Sequence, residues 1–222
     1  MPNQLPGHPA GMAAAMTGLR AELVAARESL QVEVEALRRS IDTVLPALGA
    51  ALDLIRSRPG KVVVSGLGKS GLIGVKIAAT LASTGTPAHF MHASDALHGD
   101  SGSVAAGDIG ILISNSGTTA EVCQVARMLA SWDVPVIAMT AEPASPLAES
   151  AQVWLDISVP RESDPLGLAP TSSALVTLAV GDALAAALMT RSGFDAGAFG
   201  ERHPGGALGH STRRTADAGG RR

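Results

Sequence analysis

From Lys61 onward the chain alternates between two kinds of segment. Short apolar runs with strand character occupy 61–65, 87–91, 109–114, 134–139 and 153–159. Stretches of helical spacing lie between them at 70–83, 118–131 and 145–150, and a long Ala-, Leu- and Val-rich one at 171–191 closes the series. Runs such as IGILIS and VPVIAMT carry no polar alternation, so both faces of each strand must be covered. Central parallel strands sandwiched between helices have this pattern, whereas half-solvated antiparallel strands do not. Strand–helix–strand repeats with short connections therefore predict an α/β fold built on a doubly wound five-stranded parallel sheet.

Residues 13–58 precede this unit and read differently. They are rich in Ala, Leu, Glu and Arg, and Leu19, Leu23, Leu30, Val34, Leu37, Ile41, Leu45, Leu48, Leu52 and Ile55 recur at near-helical spacing. The spacing predicts two helices packed on the domain through these residues, with Pro46 marking the break or the first turn of the second. Pro and Gly make residues 1–12 a flexible leader, the α/β unit spans 59–209, and the polar, Arg-rich stretch 210–222 reads as a disordered tail. No second domain and no repeat of solenoid length is expected.

Composition removes several classes of function. A net charge of −3 and only five aromatic residues (Phe 3, Trp 2) argue against a nucleic-acid surface. No uninterrupted apolar run has membrane-spanning length, and no basic residue precedes the small apolar patch near the N-terminus, so neither a membrane nor a secretion signal is expected. The single cysteine, Cys123, fits a reducing cytoplasm and plain burial in a helix.

Ligands in such sheets bind beyond the carboxyl ends of the strands, where the strand order reverses. Two strand-to-helix junctions have unusual chemistry there. The first, VVVSGLGKSGLIG, contains Gly66, Gly68, Lys69, Ser70 and Gly71. A triphosphate-binding P-loop would need glycine at position 63, which is valine inside the strand. A dinucleotide site would need an acidic residue ending the second strand, where Phe90, Met91 and His92 stand instead. The second junction, ISNSGTTAE, gathers Ser114, Ser116, Gly117, Thr118 and Thr119 at the start of a helix. Capping by Thr118 with Glu121 explains one hydroxyl, not four. Convergent hydroxyls and free amides at the positive end of a helix make a metal-free cradle for a small phosphate monoester.

These segments resemble the sugar isomerase (SIS) domain. More narrowly, GKSG, ASTGTPAHFMH, LHGD, ISNSG, DPLGLAPTSS, GDALA and HPGGALG, in that order from about Lys61 to Gly209, are similar to the arabinose-5-phosphate isomerases. The resemblance implies a flavodoxin-like three-layer sandwich that interconverts D-arabinose 5-phosphate and D-ribulose 5-phosphate without a cofactor. It implies catalytic roles for Lys69, Glu121, Glu162 and His203. It places substrate contacts at Gly85, Thr86, His92 and His98 and in parts of 124–133 and 158–160, beside the phosphate-cradling Gly68, Ser70, Ser114, Ser116, Thr118 and Thr119. It also implies a homodimer or homotetramer, in which the segment around His203 reaches a neighbouring subunit's site.

Read as chemistry, an aldose–ketose isomerase needs a base beside a carbonyl, a donor for the developing oxyanion and an anchor for the phosphate. Glu162 is the first candidate for the base and Glu121 the second. Lys69 suits the oxyanion or the phosphate, and His203 suits ring opening, because an imidazole titrates near neutrality. His92 and His98 have no metal-ligand spacing, so any zinc at His92 is incidental and no resident metal is expected. Two positions depart from the family's usual residues: Thr118, where relatives carry an acidic residue, and Asp95, where they carry glutamate. Both departures bear on sugar contacts. Isomerisation of another sugar phosphate, such as a hexulose 6-phosphate, and non-catalytic sugar-phosphate binding are the alternatives. Many relatives continue into paired CBS modules, and no regulation through such modules is expected here.

Overall fold

The computed structural model describes residues 9–205, with side chains from Leu19 onward. Five strands, β1 (Val62–Gly66), β2 (Ala88–His92), β3 (Ile109–Ile113), β4 (Val136–Thr140) and β5 (Val153–Asp156), form one sheet in the order β2-β1-β3-β4-β5. Every neighbouring pair is parallel. The order reverses between β1 and β3, which places the switch point of a flavodoxin-like sheet between those two strands.

Strand side chains divide by period two, as they must when both faces are buried. Val62, Val64, Ile109, Ile111, Ile113, Ile137, Met139 and Leu155 enter one core with α1 (Pro9–Arg56), α2 (Gly68–Ser83) and α6 (Ser172–Ser192). Val63, Leu112, Val136 and Ala138 enter the other, with α3 (Ala93–Ala96), α4 (Ala120–Ser131) and α5 (Pro146–Ser150). The runs that lacked polar alternation are the strands packed on both sides. A short 3-10 turn (Asp100–Ser103) and α7 (Ala196–Arg202) complete the described elements.

The N-terminal segment departs from expectation. A single α1 of 48 residues replaces the two helices, and it begins at Pro9, inside the stretch read as a leader. Pro46 lies within α1 on its exposed side. A proline ring there costs one backbone hydrogen bond, but carbonyls on the solvent side of a helix can tilt toward water. Burial of Val44, Leu48, Ala51 and Ile55 against the core holds the axis on both sides of the proline.

The stripe that faces the core also differs. Ala36, Ser40, Val44, Leu48, Ala51 and Ile55 are buried, whereas Leu19, Leu23, Leu30, Val34, Ile41 and Leu45 are exposed. Small Ala and Ser side chains let α1 approach α6, and that geometry turns most of the leucines outward. Leu37 and Leu52 pack at the edge of the core. Residues 1–8, the end of HPGGALG and the segment 210–222 lie outside the described residues.

By length and composition α6 is apolar enough to cross a membrane. Here it is the central helix of one layer, with nine buried residues and contacts to both α1 and α2, and its Asp182 pairs with Lys76 of α2 at 2.5 Å.

Candidate active site

The β1–α2 junction is compact because glycines let backbone touch backbone. A Cβ on Gly66 would meet the Gly71 nitrogen at 3.2 Å, and one on Gly71 would meet the Gly66 oxygen at 3.1 Å. Helix α2 therefore starts hard against the end of β1. Its N-cap, Leu67, offers no side-chain hydrogen bond, so the first-turn amides around Gly68, Lys69 and Ser70 have no side-chain cap. Lys69 is exposed and has no hydrogen bond or ion pair within the described residues.

The β3–α4 junction is shaped by Gly117, at φ +64 with no room for a Cβ, which would lie 2.0 Å from Ser145 Oγ. The hydroxyls of this loop pair with one another rather than pointing into a common space. Ser114 Oγ and Thr119 Oγ1 lie 2.9 Å apart, and Thr118 Oγ1 donates to Ser116 Oγ at 3.0 Å. Thr119, not Thr118, is the N-cap of α4, and it too makes no capping bond. The alternative capping box of Thr118 with Glu121 does not form, and Glu121 sits half-buried in the first turn. Cys123 is buried as expected; its thiol donates to Gly117 O at 3.4 Å, and burial raises its pKa.

Between these junctions and the β5–α6 loop opens a cavity of about 280 Å³. Lys69 and Ser70 from α2, Asn115 from the β3–α4 loop, Glu162 and Leu168 from the β5–α6 loop, and Ser173 and Thr177 from α6 contribute to its lining. Lys69, Ser70 and Glu162 were expected at this crevice from the sequence. Asn115, Ser173 and Thr177 were not, although Asn115 sits inside the quoted ISNSG and Ser173 ends DPLGLAPTSS. Their side chains are ordinary, and only the fold converges them.

Glu162 is the most heavily bonded group in the cavity. Its Oε2 accepts from Thr171 N at 2.9 Å, Thr171 Oγ1 at 3.1 Å and Ser173 N at 3.1 Å, while Oε1 accepts from Ser173 Oγ. The carboxylate thus caps α6 from outside the helix, at the positive end of its dipole. Burial pushes its carboxyl upward, but the Ser173 hydroxyl, the two amides and the Thr171 hydroxyl outweigh it and hold the group below the usual carboxylate range. Next to it, Ser163 bonds α1 through Glu33 at 3.1 Å and Ser29 at 2.9 Å. Asp164 accepts three amides, from Leu166, Leu168 and Ala169, and so shapes the loop that carries Leu168 to the cavity.

The remaining candidates divide. His92 ends β2 at the same edge of the sheet, with Nδ1 3.8 Å from Asp95 Oδ2, too long for a hydrogen bond. His98 is exposed after α3, and no metal-binding cluster of acidic, His and Cys residues occurs among the described residues. Residues 158–160 follow β5 at this edge, whereas 124–133 run down α4 away from it. Gly85 and Thr86 lie at the opposite edge, before β2. A Cβ on Gly85 would touch the Phe194 ring at 2.6 Å, just past the far end of α6. His203 is in the same quarter, at the end of α7, stacked on Phe199 at 3.9 Å with Nδ1 2.9 Å from Phe199 O. With 21 residues, α6 separates Glu162 from this second cluster by about 30 Å.

The arrangement matches known proteins. Residues 54–187 match the SIS domain model, and this chain belongs to the SIS-domain family. It is 53% identical over 156 residues to the arabinose 5-phosphate isomerase KdsD of Pseudomonas aeruginosa, covering 70% of this chain and 48% of that protein. It is 54% identical over 150 residues to the arabinose 5-phosphate isomerase GutQ of Escherichia coli K12, covering 68% of this chain and 47% of that protein. The chain therefore spans about half the length of the curated relatives it matches. Among solved structures, the E. coli CFT073 protein c3406 in complex with arabinose 5-phosphate superposes with a TM-score of 0.80 at 42% identity, over 83% of this chain and 98% of that one.

Proposed function

We infer that this protein is an aldose–ketose isomerase that interconverts D-arabinose 5-phosphate and D-ribulose 5-phosphate. The observation that carries the reading is a cavity at the switch point lined by both Lys69, a cation unpaired among the described residues, and a carboxylate, Glu162, beside the start of α2, which has no side-chain cap. Helix α4 likewise starts without a side-chain cap, as does the short α3, whereas α5 and α7 are capped by Ser145 and Asp195 and α6 by Glu162. The first-turn amides of α2 and α4 suit a phosphate ester, with Lys69 and the Ser70 hydroxyl beside it. Relatives more than half identical are named for this reaction, and one similar structure holds arabinose 5-phosphate.

In the forward direction Glu162 takes the proton from C2 of the open aldose. Charge moves onto the O1 oxygen of the resulting enediolate, which Lys69 stabilises. The same carboxyl returns the proton to C1, and the hydroxyl proton on O2 passes to O1, leaving a ketone at C2. No step needs a redox group. Glu121, in the first turn of α4, is the second candidate for the base.

Gly85, Thr86 and His203 fit this scheme through a second copy of the chain, because one sugar phosphate cannot span the length of α6. The outward stripe of Leu19, Leu23, Leu30, Val34, Ile41 and Leu45 supports a homo-oligomer, since monomers rarely leave so long an apolar strip in water. His203 from the neighbour then supplies the acid for ring opening. A lone buried thiol fits the cytoplasm as the compartment.

Incubating the purified chain with a panel of aldose and ketose phosphates, with and without EDTA, tests the reading. Turnover of arabinose 5-phosphate that survives chelation is the expected result. Turnover of a different sugar phosphate alone would reassign the substrate, and binding without turnover of any would make it a sugar-phosphate receptor.

A further inference from the structure

The two oxygens of Glu162 are not equivalent. Three donors saturate Oε2, and all three belong to the first turn of α6 or its cap: Thr171 N, Thr171 Oγ1 and Ser173 N. This oxygen is committed to the helix. Oε1 accepts from a single described donor, the Ser173 hydroxyl. An amide cannot turn away from its acceptor without unwinding the helix, but a hydroxyl can rotate about one bond. Ser173 is 3% exposed, yet it lines the same cavity as Glu162 and Lys69, so a ligand seated there lies beside it.

A base needs an oxygen with a lone pair free at the reacting carbon, and its strength falls with every hydrogen bond it accepts. We propose that Ser173 is the positioning residue for the base: its hydroxyl holds Glu162 Oε1 in the empty site and turns to a sugar hydroxyl when substrate enters, which frees that oxygen to take the proton. Thr171 fixes the other oxygen throughout. The free-enzyme carboxylate is thus kept weak and ordered, and its basicity rises only when the sugar is present. This inference rests on Glu162 being the base.

The test compares Ser173→Ala and Ser173→Cys with the parent enzyme in pH profiles of kcat and kcat/KM, together with Glu162→Gln. Removing the donor raises the carboxyl pKa in the free enzyme, so the acid limb of kcat/KM moves up by about one pH unit. The acid limb of kcat, which reports the loaded enzyme, moves less, because the hydroxyl has already turned away there. The cysteine variant keeps the volume while weakening the donor, and it gives the same direction of shift if the alanine variant does not fold. A hydroxyl that stays on Oε1 in the loaded enzyme would move both acid limbs by the same amount, and one that does not act on the base would move neither; either result overturns the proposal while Glu162→Gln still loses about 10³-fold in turnover. Full turnover in Glu162→Gln overturns the base assignment itself, and the two failures are thereby told apart.

Discussion

Two buried or half-buried carboxylates, at opposite edges of the sheet, are held below the usual carboxylate range for different reasons. Asp108 precedes β3 at the amino edge. Burial pushes its carboxyl up, but the Lys61 ammonium at 2.7 Å, together with the amides of Ala105 and Lys61 at 2.9 Å, more than reverses it. Its charge is cancelled by a dedicated cation that also donates to Ser103 O at 3.0 Å. Glu162, at the carboxyl edge, is held down by neutral amides and hydroxyls alone. The cation lining its cavity, Lys69, has no bond among the described residues. A paired charge closes a structure; a charge balanced only by dipoles, facing an unpaired cation across a cavity, remains available to a substrate. The same direction of pKa shift thus marks a strut at one edge and a working group at the other.

The comparison is most exposed to Glu162→Gln. Turnover is expected to fall about 10³-fold while the protein stays folded, since the amide still offers one oxygen to the α6 amides; a steady-state assay beside a thermal melt checks both halves. Lys69→Met is the next in size. It removes the cation at the cavity without leaving a buried partner unpaired, and kcat/KM is expected to drop about 10²-fold with an unchanged melting temperature. For Asp108→Asn the pattern inverts: stability falls by about 2–3 kcal/mol because Lys61 loses its partner, and kcat per folded molecule is unaffected. Denaturant unfolding at neutral pH reads the first effect and active-site-normalised turnover the second.

The smallest expected effect is on acid stability. Both carboxyls have folded pKa values below their unfolded ones, so each contributes stability that is fully present above the ordinary carboxylate pKa of about 4 and is lost as pH falls through the folded value. The melting temperature should hold steady from neutrality down to about pH 5 and then decline. Asp108→Asn and Glu162→Gln should each flatten part of that decline. A profile left unchanged by both substitutions would show that neither group is bonded as described.

Much of the fold is legible in the sequence. Five apolar runs, the central ones without polar alternation, predict five parallel strands close to their observed limits. The short α3, the 3-10 turn and α7 were missed, because pieces of four to seven residues carry too little periodicity. The N-terminal segment misled in two ways. Pro46 reads as a helix break because local propensity disfavours it, and leucine reads as core because it is apolar. Packing of Val44, Leu48, Ala51 and Ile55 overrode the first signal. The short Ala and Ser side chains on the face that meets α6 overrode the second.

The candidate site divides along the same line. Lys69 and Ser70 were found because they belong to a contiguous motif at a strand end, where chain order alone dictates proximity to the crevice. Glu162 was found by motif too, but its bonds to Thr171 and Ser173 reach nine and eleven residues ahead across an irregular loop, and no periodicity encodes them. The hydroxyls of 114–119 were recognised as a group, yet their pairing with one another depends on the bend that Gly117 makes against Ser145.

What the sequence by itself determined is the parallel sheet and the two unusual junctions at its strand ends, because unbroken apolar runs and glycine-rich turns are local and act through neighbouring residues. What only the tertiary structure decided is how donors divide between the two oxygens of Glu162, three on one and the Ser173 hydroxyl on the other. It also decided that His203 and Gly85 lie a whole helix away from Lys69. Those facts depend on distances between segments far apart in the chain, and such distances exist only once the layers have packed.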